Sequence, residues 1–206
     1  MKTKQQILES FCAARDFSHF DTHPDLTRPW QYNGHTYASN RHWMVRMKTE
    51  GLPEYAQHDW KQASIGDWFA NAPFDRLTPM QPITCPPCKN CNGSGWETAT
   101  DCDRCKGKGC RRCDGEGAIF SPALHDAPGA KPCVCGGLGL DFSNDLIVPY
   151  MGGLFQTAYL SIISRLPGVA FAAAPESICD QYPMAAFAFD GAQGLLMPCL
   201  DRKACA

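Results

Sequence analysis

The sequence predicts an α+β fold, in which a body made of two similar halves flanks an inserted, loop-rich segment. Apolar residues recur at helical spacing near residues 7–12 and 155–166, and short apolar runs separated by turn signals follow each of these stretches. The segment between the halves is rich in cysteine and glycine and poor in apolar residues. We therefore predict one α+β body from residues 1–82 and 140–206, with residues 83–139 as an inserted module.

The first half begins with a predicted amphipathic helix over residues 3–15. Thr3 and Gln6 have the spacing of a capping box, in which each residue's side chain accepts a hydrogen bond from the other's backbone N–H. The apolar face of the helix is formed by Ile7, Leu8, Phe11 and Cys12. A second, shorter helix is predicted around residues 65–70.

The strands of the first half are predicted around a tight turn at Asn33-Gly34. The runs on either side, Trp30-Gln31-Tyr32 and His35-Thr36-Tyr37, are rich in aromatic residues. An Asn-Gly pair between two such runs favours a type I′ hairpin, because both residues tolerate positive φ angles. Residues 42–47 continue as the third predicted strand.

The second half repeats this order. Apolar residues at helical spacing predict a helix over residues 155–166, which Pro167-Gly168 ends. The strands that follow are predicted at residues 169–172, 185–189 and 195–197, with a loop at residues 190–194 joining the last two. The outcome is a helix followed by three strands, twice.

The inserted segment contains four copies of a short cysteine-glycine motif. The copies read CKNCNGSG from Cys88, CDRCKGKG from Cys102, CRRCDGEG from Cys110 and, shortened, CVCGGLG from Cys133. Two residues between cysteines let both thiolates reach one tetrahedral ion, and the following glycines take the positive φ angles of a tight turn. Eight sulfurs suffice for two closed four-cysteine centres, so we predict two Zn²⁺ ions. The predicted ligands are Cys88, Cys91, Cys102, Cys105, Cys110, Cys113, Cys133 and Cys135.

These repeats resemble the cysteine-rich zinc domain of the DnaJ co-chaperones, over residues 85–139. In that family, repeats one and four share one zinc ion, and repeats two and three share the other. The resemblance implies one ion on Cys88, Cys91, Cys133 and Cys135 and a second on Cys102, Cys105, Cys110 and Cys113. The sequence departs from the family's pattern in the short connection before Cys110 and in the CxC of the last copy. Cys85 and His125 are therefore alternative ligands.

The flanking halves resemble one domain of the bacterial DNA sliding clamp, in which two such halves pack two helices against curved sheets. Residues 36–46 look like the clamp's strand-turn-strand, although Asn40-Arg41 replaces its acidic-glycine turn. Residues 155–166 and 195–198 look like its final helix and closing strand. The resemblance implies an accessory protein that binds DNA or replication proteins, of a kind often encoded by phages and prophages. An unrelated α+β domain is the alternative.

Charge gives no general attraction to polyanions, since 19 Lys and Arg against 21 Asp and Glu leave a net charge of −2. A local basic run in the second and third repeats is the exception; it consists of Arg104, Lys106, Lys108, Arg111 and Arg112. These cations could contact nucleic-acid phosphates. They could equally offset the formal charge of about −2 that a four-thiolate zinc centre carries.

Thirteen cysteines in a chain without a secretory signal indicate a reducing compartment and bound metal. No apolar run approaches the roughly 20 residues of a membrane span. We therefore expect a cytoplasmic protein without membrane association.

Catalytic motifs are not evident in the sequence. Thiol-disulfide exchange is the one enzymatic candidate, because Cys85-Pro86-Pro87-Cys88 has the spacing of a redox motif, but zinc-bound thiolates would be occupied. The tripeptide His23-Pro24-Asp25 matches the signature of the J domain without the basic helix that precedes it there, and we interpret it as a turn.

The function that we expect is a non-enzymatic zinc-binding adaptor, which docks a protein partner through a zinc-ordered surface. A nucleic-acid-binding accessory protein of DNA metabolism is the main alternative, and a DnaJ-like holdase without a J domain is a further one. The sequence leaves the oligomeric state open.

Overall fold

The structure is a computed structural model that describes residues 3–12, 26–56, 62–113, 115–133, 135, 137–142, 146–172 and 184–199. The chain divides into two compact units, the body unit of Met1–Thr84 with Asn144–Ala206 and the cysteine unit of Cys85–Ser143. The described residues contain helices and a large antiparallel sheet, so the predicted α+β class is confirmed. The tripeptide at residues 23–25 lies outside the described residues.

Short helices and strands follow one another along the described part of the chain. In chain order they are α1 (Lys4–Glu9), β1 (Trp30–Tyr32), β2 (His35–Ser39), β3 (Trp43–Lys48), α2 (Gln62–Asn71), β4 (Thr78–Pro79), β5 (Trp96–Asp101), β6 (Ala118–Ala123), β7 (Ala130–Pro132), β8 (Ile147–Tyr150), β9 (Gly153–Gln156), α3 (Thr157–Ile163), β10 (Ala170–Ala172), β11 (Ala185–Phe189) and β12 (Ala192–Leu196). Short 3-10 turns lie at Phe74–Arg76 and Arg111–Cys113. None of the helices in the described part of the chain is long and apolar enough to span a bilayer.

The start of α1 has the predicted capping box. The Gln6 N–H donates to Thr3 Oγ1 at 3.2 Å, and the Thr3 N–H donates to Gln6 Oε1 at 2.9 Å. The helix ends at Glu9, earlier than predicted, because the chain turns through Ser10 and Phe11. The last residues of the predicted helix, 13–15, lie outside the described residues.

The hairpin of β1 and β2 turns at Asn33-Gly34, with φ angles of 48° and 75°, as the type I′ prediction requires. A second turn of the same kind joins β11 and β12 at Asp190-Gly191, with φ angles of 41° and 75°. The predicted five-residue loop at 190–194 is therefore wrong. Because an Asp-Gly pair suffices for the turn, the three residues after it join β12.

The helix predicted over residues 155–166 is shorter in the structure, where α3 covers Thr157–Ile163. Phe155 lies in β9, which pairs with β8 in a hairpin that the sequence did not reveal. The side chain of Phe155 is fully buried, and burial is compatible with either a helix or a strand at this position. Its apolar character therefore did not distinguish the two.

The sheet of the body unit has the strand order β1-β2-β3-β12-β11-β10-β4 among the described residues. The strands that follow α1 and those that follow α3 meet where β3 pairs with β12. On one face, the Phe11 ring packs 4.7 Å from Trp43 and 6.2 Å from Phe187. On the other face, Phe69 of α2 packs 6.0 Å from Tyr37. The core therefore lies on both sides of the sheet.

The cysteine unit contains an antiparallel sheet of order β6-β5-β7, where the sequence predicted a loop-rich module. The central strand β5 pairs with β6 along its whole length, from Trp96 opposite Ala123 to Asp101 opposite Ala118. The residues that pair with Trp96 are Ala123 and Pro132, which lie far from it in the sequence, so local patterns gave little sign of the sheet.

Candidate metal centres

The eight predicted cysteines lie in two groups of four. The first group is Cys88, Cys91, Cys133 and Cys135, and the second group is Cys102, Cys105, Cys110 and Cys113; the Sγ atoms within each group lie within 4.8 Å of one another. These are the groups that the DnaJ resemblance implied. Each group could hold a metal ion.

The distances between sulfurs match a tetrahedral site. In the first group, the Cys88 and Cys133 sulfurs are 3.9 Å apart, and the Cys91 and Cys135 sulfurs are 3.8 Å apart. The corresponding distances in the second group are 3.8 and 3.7 Å. A regular tetrahedron with Zn–S bonds of about 2.3 Å has edges of about 3.8 Å. The sulfurs are therefore already spaced for one zinc ion in each group.

Backbone hydrogen bonds join the two repeats that build the first group. The Cys88 N–H donates to the Gly139 carbonyl, and the Cys133 N–H donates to the Gly95 carbonyl, both at 2.9 Å. In the second group, the Cys102 N–H donates in the same way to Gly117, also at 2.9 Å. Cys110 directly follows the last glycine of the second repeat and has no equivalent carbonyl to reach, so its N–H donates to Cys113 Sγ at 3.3 Å.

The last glycine of each repeat supports the second cysteine of the same repeat. The Gly95 N–H donates to Cys91 Sγ at 3.2 Å, and the Gly139 N–H donates to Cys135 Sγ at 3.3 Å. Backbone hydrogen bonds from Gly109 and Gly117 act on Cys105 and Cys113 in the same way. Such donors orient the sulfurs and stabilise thiolates, as the groups around metal ligands generally do.

Close approach between repeats explains the glycines further. A Cβ atom on Gly95 would overlap the Gly137 carbonyl, and one on Gly139 would overlap the Gly93 carbonyl. The second group repeats the arrangement, with Gly109 against Gly115 and Gly117 against Gly107. From the sequence, the role of these glycines was explained by positive φ angles alone. Their second role depends on the partner repeat and becomes visible only in the structure.

The strand β5 connects the two groups. Gly95 directly precedes it and Cys102 directly follows it. At about 3.3 Å per residue, its six residues span about 20 Å. The second group therefore closes the tip of the β5–β6 hairpin, and the first group closes its base.

Burial and neighbouring thiols make full ionisation of either group difficult without a cation. Burial raises the pKa of Cys135 to about 11, and burial together with neighbouring thiols does the same for Cys105. Burial opposes the thiolate of Cys113 as well, but hydrogen bonds from backbone N–H groups and neighbouring thiols outweigh it and lower that pKa to about 7. A divalent ion removes the conflict, because it stabilises all four thiolates at once.

The two alternative ligands lie outside both groups. Cys85 is buried, and its thiol donates to the Asp141 carbonyl at 3.5 Å. The His125 ring packs edge-on against Trp96, with centroids 4.4 Å apart. Neither belongs to a four-cysteine group, so the CxC of the last repeat supplies both of its sulfurs without a substitute.

The basic run lies on the surface around the second group. All five side chains of the run, Arg104, Lys106, Lys108, Arg111 and Arg112, are exposed. Arg112 Nη1 lies 3.2 Å from Asp103 Oδ2, and this is the run's one ion pair within the described part of the chain.

No protein-family model, curated protein or solved structure matches this chain.

Proposed function

We propose that this protein is a non-enzymatic zinc-binding adaptor, in which two structural zinc ions hold the cysteine unit in shape and that unit docks a protein partner. The observation that carries the proposal is the closure of both cysteine groups, with four sulfurs at tetrahedral spacing in each. A four-cysteine centre leaves no coordination position for water or substrate, so it organises the backbone and does not activate a nucleophile.

Zinc is the proposed metal because four thiolates in a tetrahedron suit Zn²⁺, with iron as the competing choice. The test is elemental analysis of the full chain, purified without added metal or chelator. Two zinc ions per chain are expected. Iron in place of zinc, or fewer than two metal ions, would contradict the proposal.

The proposed docking surface is apolar. Phe120, Leu124 and Leu138 of the cysteine unit are 38%, 71% and 36% exposed. Phe120 lies on β6, an edge strand of its sheet, and Lys131 Nζ lies 4.0 Å from the centre of its ring. Exposed apolar side chains on a small, metal-ordered unit favour a protein partner, because association removes them from water.

A photo-crosslinking residue at Leu124 tests this surface directly in cells of the source organism. The expected result is one crosslinked protein partner, which disappears when the crosslinker is moved to the exposed Glu116 at the other end of the β5–β6 hairpin or when Cys91→Ser removes a zinc ligand. Equal crosslinking from both positions would refute the docking surface while leaving the zinc assignment intact.

Nucleic-acid binding is the second candidate, and the exposed basic run favours it. Four of its five cations have no ion-pair partner among the described residues. If the run binds phosphates, affinity for DNA or RNA falls linearly with salt on a logarithmic scale, and each removed contact reduces the slope by about 0.7–0.9. Arg111→Ala with Lys108→Ala should lower both affinity and slope, whereas Lys89→Ala outside the run should not. A salt-independent affinity would exclude this candidate.

The order of the body sheet supports a clamp-like arrangement as part of this second candidate. The strands β1–β3 after α1 and β10–β12 after α3 occupy mirrored places about the β3–β12 pair. Binding of DNA by such a body would survive Lys108→Ala and Arg111→Ala, so the same titration separates the two sources of affinity.

A further inference from the structure

An open cavity of about 540 Å³ lies in the body unit, at one end of β3, β10, β11 and β12. Its lining includes His35, Arg46, Lys48, Ala188, Asp190 and Gln193. The volume falls within the range of about 300–1,000 Å³ that is usual for small-molecule sites. No member of either cysteine group lines the cavity.

A row of residues across four neighbouring strands lines the cavity. Arg46 of β3 lies opposite Gln193 of β12, and Gln193 lies opposite Ala188 of β11. Ala188 in turn lies opposite Ala170 of β10. Paired residues share a face of the sheet, so two long polar side chains stand beside two short ones. The short side chains therefore leave space above the sheet beside the two long ones.

The Arg46 guanidinium is held in place before any ligand binds. The Arg46 Cζ atom lies 4.1 Å from the centre of the Phe69 ring, and Phe69 is a buried residue of α2. The Arg46 Nε and Nη2 atoms donate to Gln193 Oε1 at 2.9 and 2.7 Å. The guanidinium has five N–H donors, and these contacts engage two of them. Within the described part of the chain no hydrogen bond engages Nη1, so its N–H groups can donate to a ligand at little cost in side-chain entropy.

The charges around the cavity favour an anion. Lys48 lies two residues after Arg46 on the same face of β3, and His35 lies directly opposite Lys48. His35 Nδ1 lies 3.2 Å from the Asn33 carbonyl, which holds the ring by a hydrogen bond. Among the described residues that line the cavity, Asp190 is the one acid, so two permanent cations face one carboxylate there.

We propose that this cavity binds the phosphate group of a small phosphorylated molecule. Arg46 supplies planar N–H donors, and Lys48 supplies a mobile charge, a combination that suits the oxygens of a phosphate. A long nucleic acid is disfavoured here, because the cations are few and Asp190 would repel a continuous polyanion. The inference goes beyond the proposed adaptor function.

The experiment is a titration of the zinc-loaded full chain with sodium pyrophosphate at low ionic strength, followed by calorimetry and by amide chemical shifts. We expect saturable binding, with shifts at residues 46–48 and 190–193. Lys48→Glu should weaken binding about tenfold or more, since it replaces an attraction by a repulsion. Asp190→Asn should tighten binding, and asparagine suits the positive φ angle of 41° at this turn position.

Two further arms make the result decisive. Lys4→Glu changes the charge by the same amount on α1, outside the cavity lining, and should leave affinity unchanged; an equal loss in Lys4→Glu and Lys48→Glu would overturn the proposal. If a single-stranded oligonucleotide bound at residues 46–48 more tightly than pyrophosphate, the ligand of this cavity would be a nucleic acid and the small-molecule proposal would be wrong. The absence of saturable pyrophosphate binding would refute the site. Lys48 is exposed, so its substitution tests the site without removing the packing of Arg46 on Phe69.

Discussion

The two cysteine groups are built from the same repeat but close very different lengths of chain. In the first group, the paired sulfurs belong to residues 44 and 45 positions apart, whereas in the second group they are 8 positions apart. Closing the longer loop costs about 1.5 kcal/mol more chain entropy, by the logarithmic dependence on loop length. The first group must therefore be assembled against a greater entropic cost, and it fixes more of the unit once formed.

The cysteines of the first group are also more deeply buried than those of the second group. All four cysteines of the first group are buried, whereas Cys105 and Cys110 of the second group are only partly so. The first group joins β5 to the residues after β7, and the second closes a hairpin tip. One motif thus performs a tertiary role in one place and a local role in another, and the surrounding chain decides which.

The largest effect is expected from Cys91→Ser, in the first group. The variant should keep one zinc ion, at the second group, and lose amide protection in residues 85–101 and 118–143. A structural zinc ion contributes roughly 10–16 kcal/mol in small zinc peptides, and this one closes the base of the sheet. Hydrogen exchange and elemental analysis measure the two effects.

The matched control for this variant is Cys85→Ser, which changes a buried cysteine of the same unit outside both groups. It should retain two zinc ions. If Cys85→Ser lost an ion and Cys91→Ser did not, the composition of the first group would be wrong.

Cys110→Ser should have a smaller effect. The variant should also lose one zinc ion, but amide protection should fall only at residues 102–117, because the first group still holds the base of the hairpin. Hydrogen exchange resolved by peptide distinguishes the two variants. Equal loss of protection in both variants would show that the two groups fold as one unit and do not have separate tertiary and local roles.

A substitution of Gly95 tests a single close contact within the first group. Gly95→Ala would place a Cβ against the Gly137 carbonyl, whereas Gly107→Ala would place one in open space at a similar positive φ. The second change should cost only the roughly 1–2 kcal/mol of left-handed backbone. Thermal unfolding of the zinc-loaded variants should rank Gly95→Ala as clearly the less stable, and the reverse order would contradict the close approach.

The smallest expected effect is a pH dependence of the second group, measured alone in Cys91→Ser. Cys105, with a pKa raised to about 11, keeps its proton at pH 8, so zinc must displace it. Cys113, with a pKa lowered to about 7, is largely ionised there already. Apparent zinc affinity should therefore keep rising between pH 8 and pH 10, by up to about tenfold per unit for each displaced proton. Competition with a chromophoric chelator measures it, and a flat profile would contradict the assignment.

Local signals explain what could be predicted from the sequence. The cysteine spacing correctly predicted all eight members of the two groups. The Asn33-Gly34 pair correctly predicted a hairpin turn, which has the expected φ angles. Both depend on residues close together in the chain. The grouping of repeats came from a family resemblance, since spacing alone does not say which half-sites share an ion.

Long-range contacts explain what was missed. The sheet β6-β5-β7 is joined at its ends by backbone hydrogen bonds between repeats, from the Cys133 N–H to the Gly95 carbonyl and from the Cys102 N–H to the Gly117 carbonyl. Arg46 acquires its fixed orientation from Gln193, which is 147 positions away. The apolar pattern around Phe155 is compatible with helix or strand, and pairing of β9 with β8 decided between them.

The native mass spectrum of the full chain, recorded beside those of Cys91→Ser and Cys110→Ser, tests most directly whether the two cysteine groups are separate zinc centres. We expect the mass of the chain with two zinc ions and, for each variant, the mass with one. A wild-type chain without metal, with paired disulfides or with a single ion would contradict the claim that the two cysteine groups are separate zinc centres.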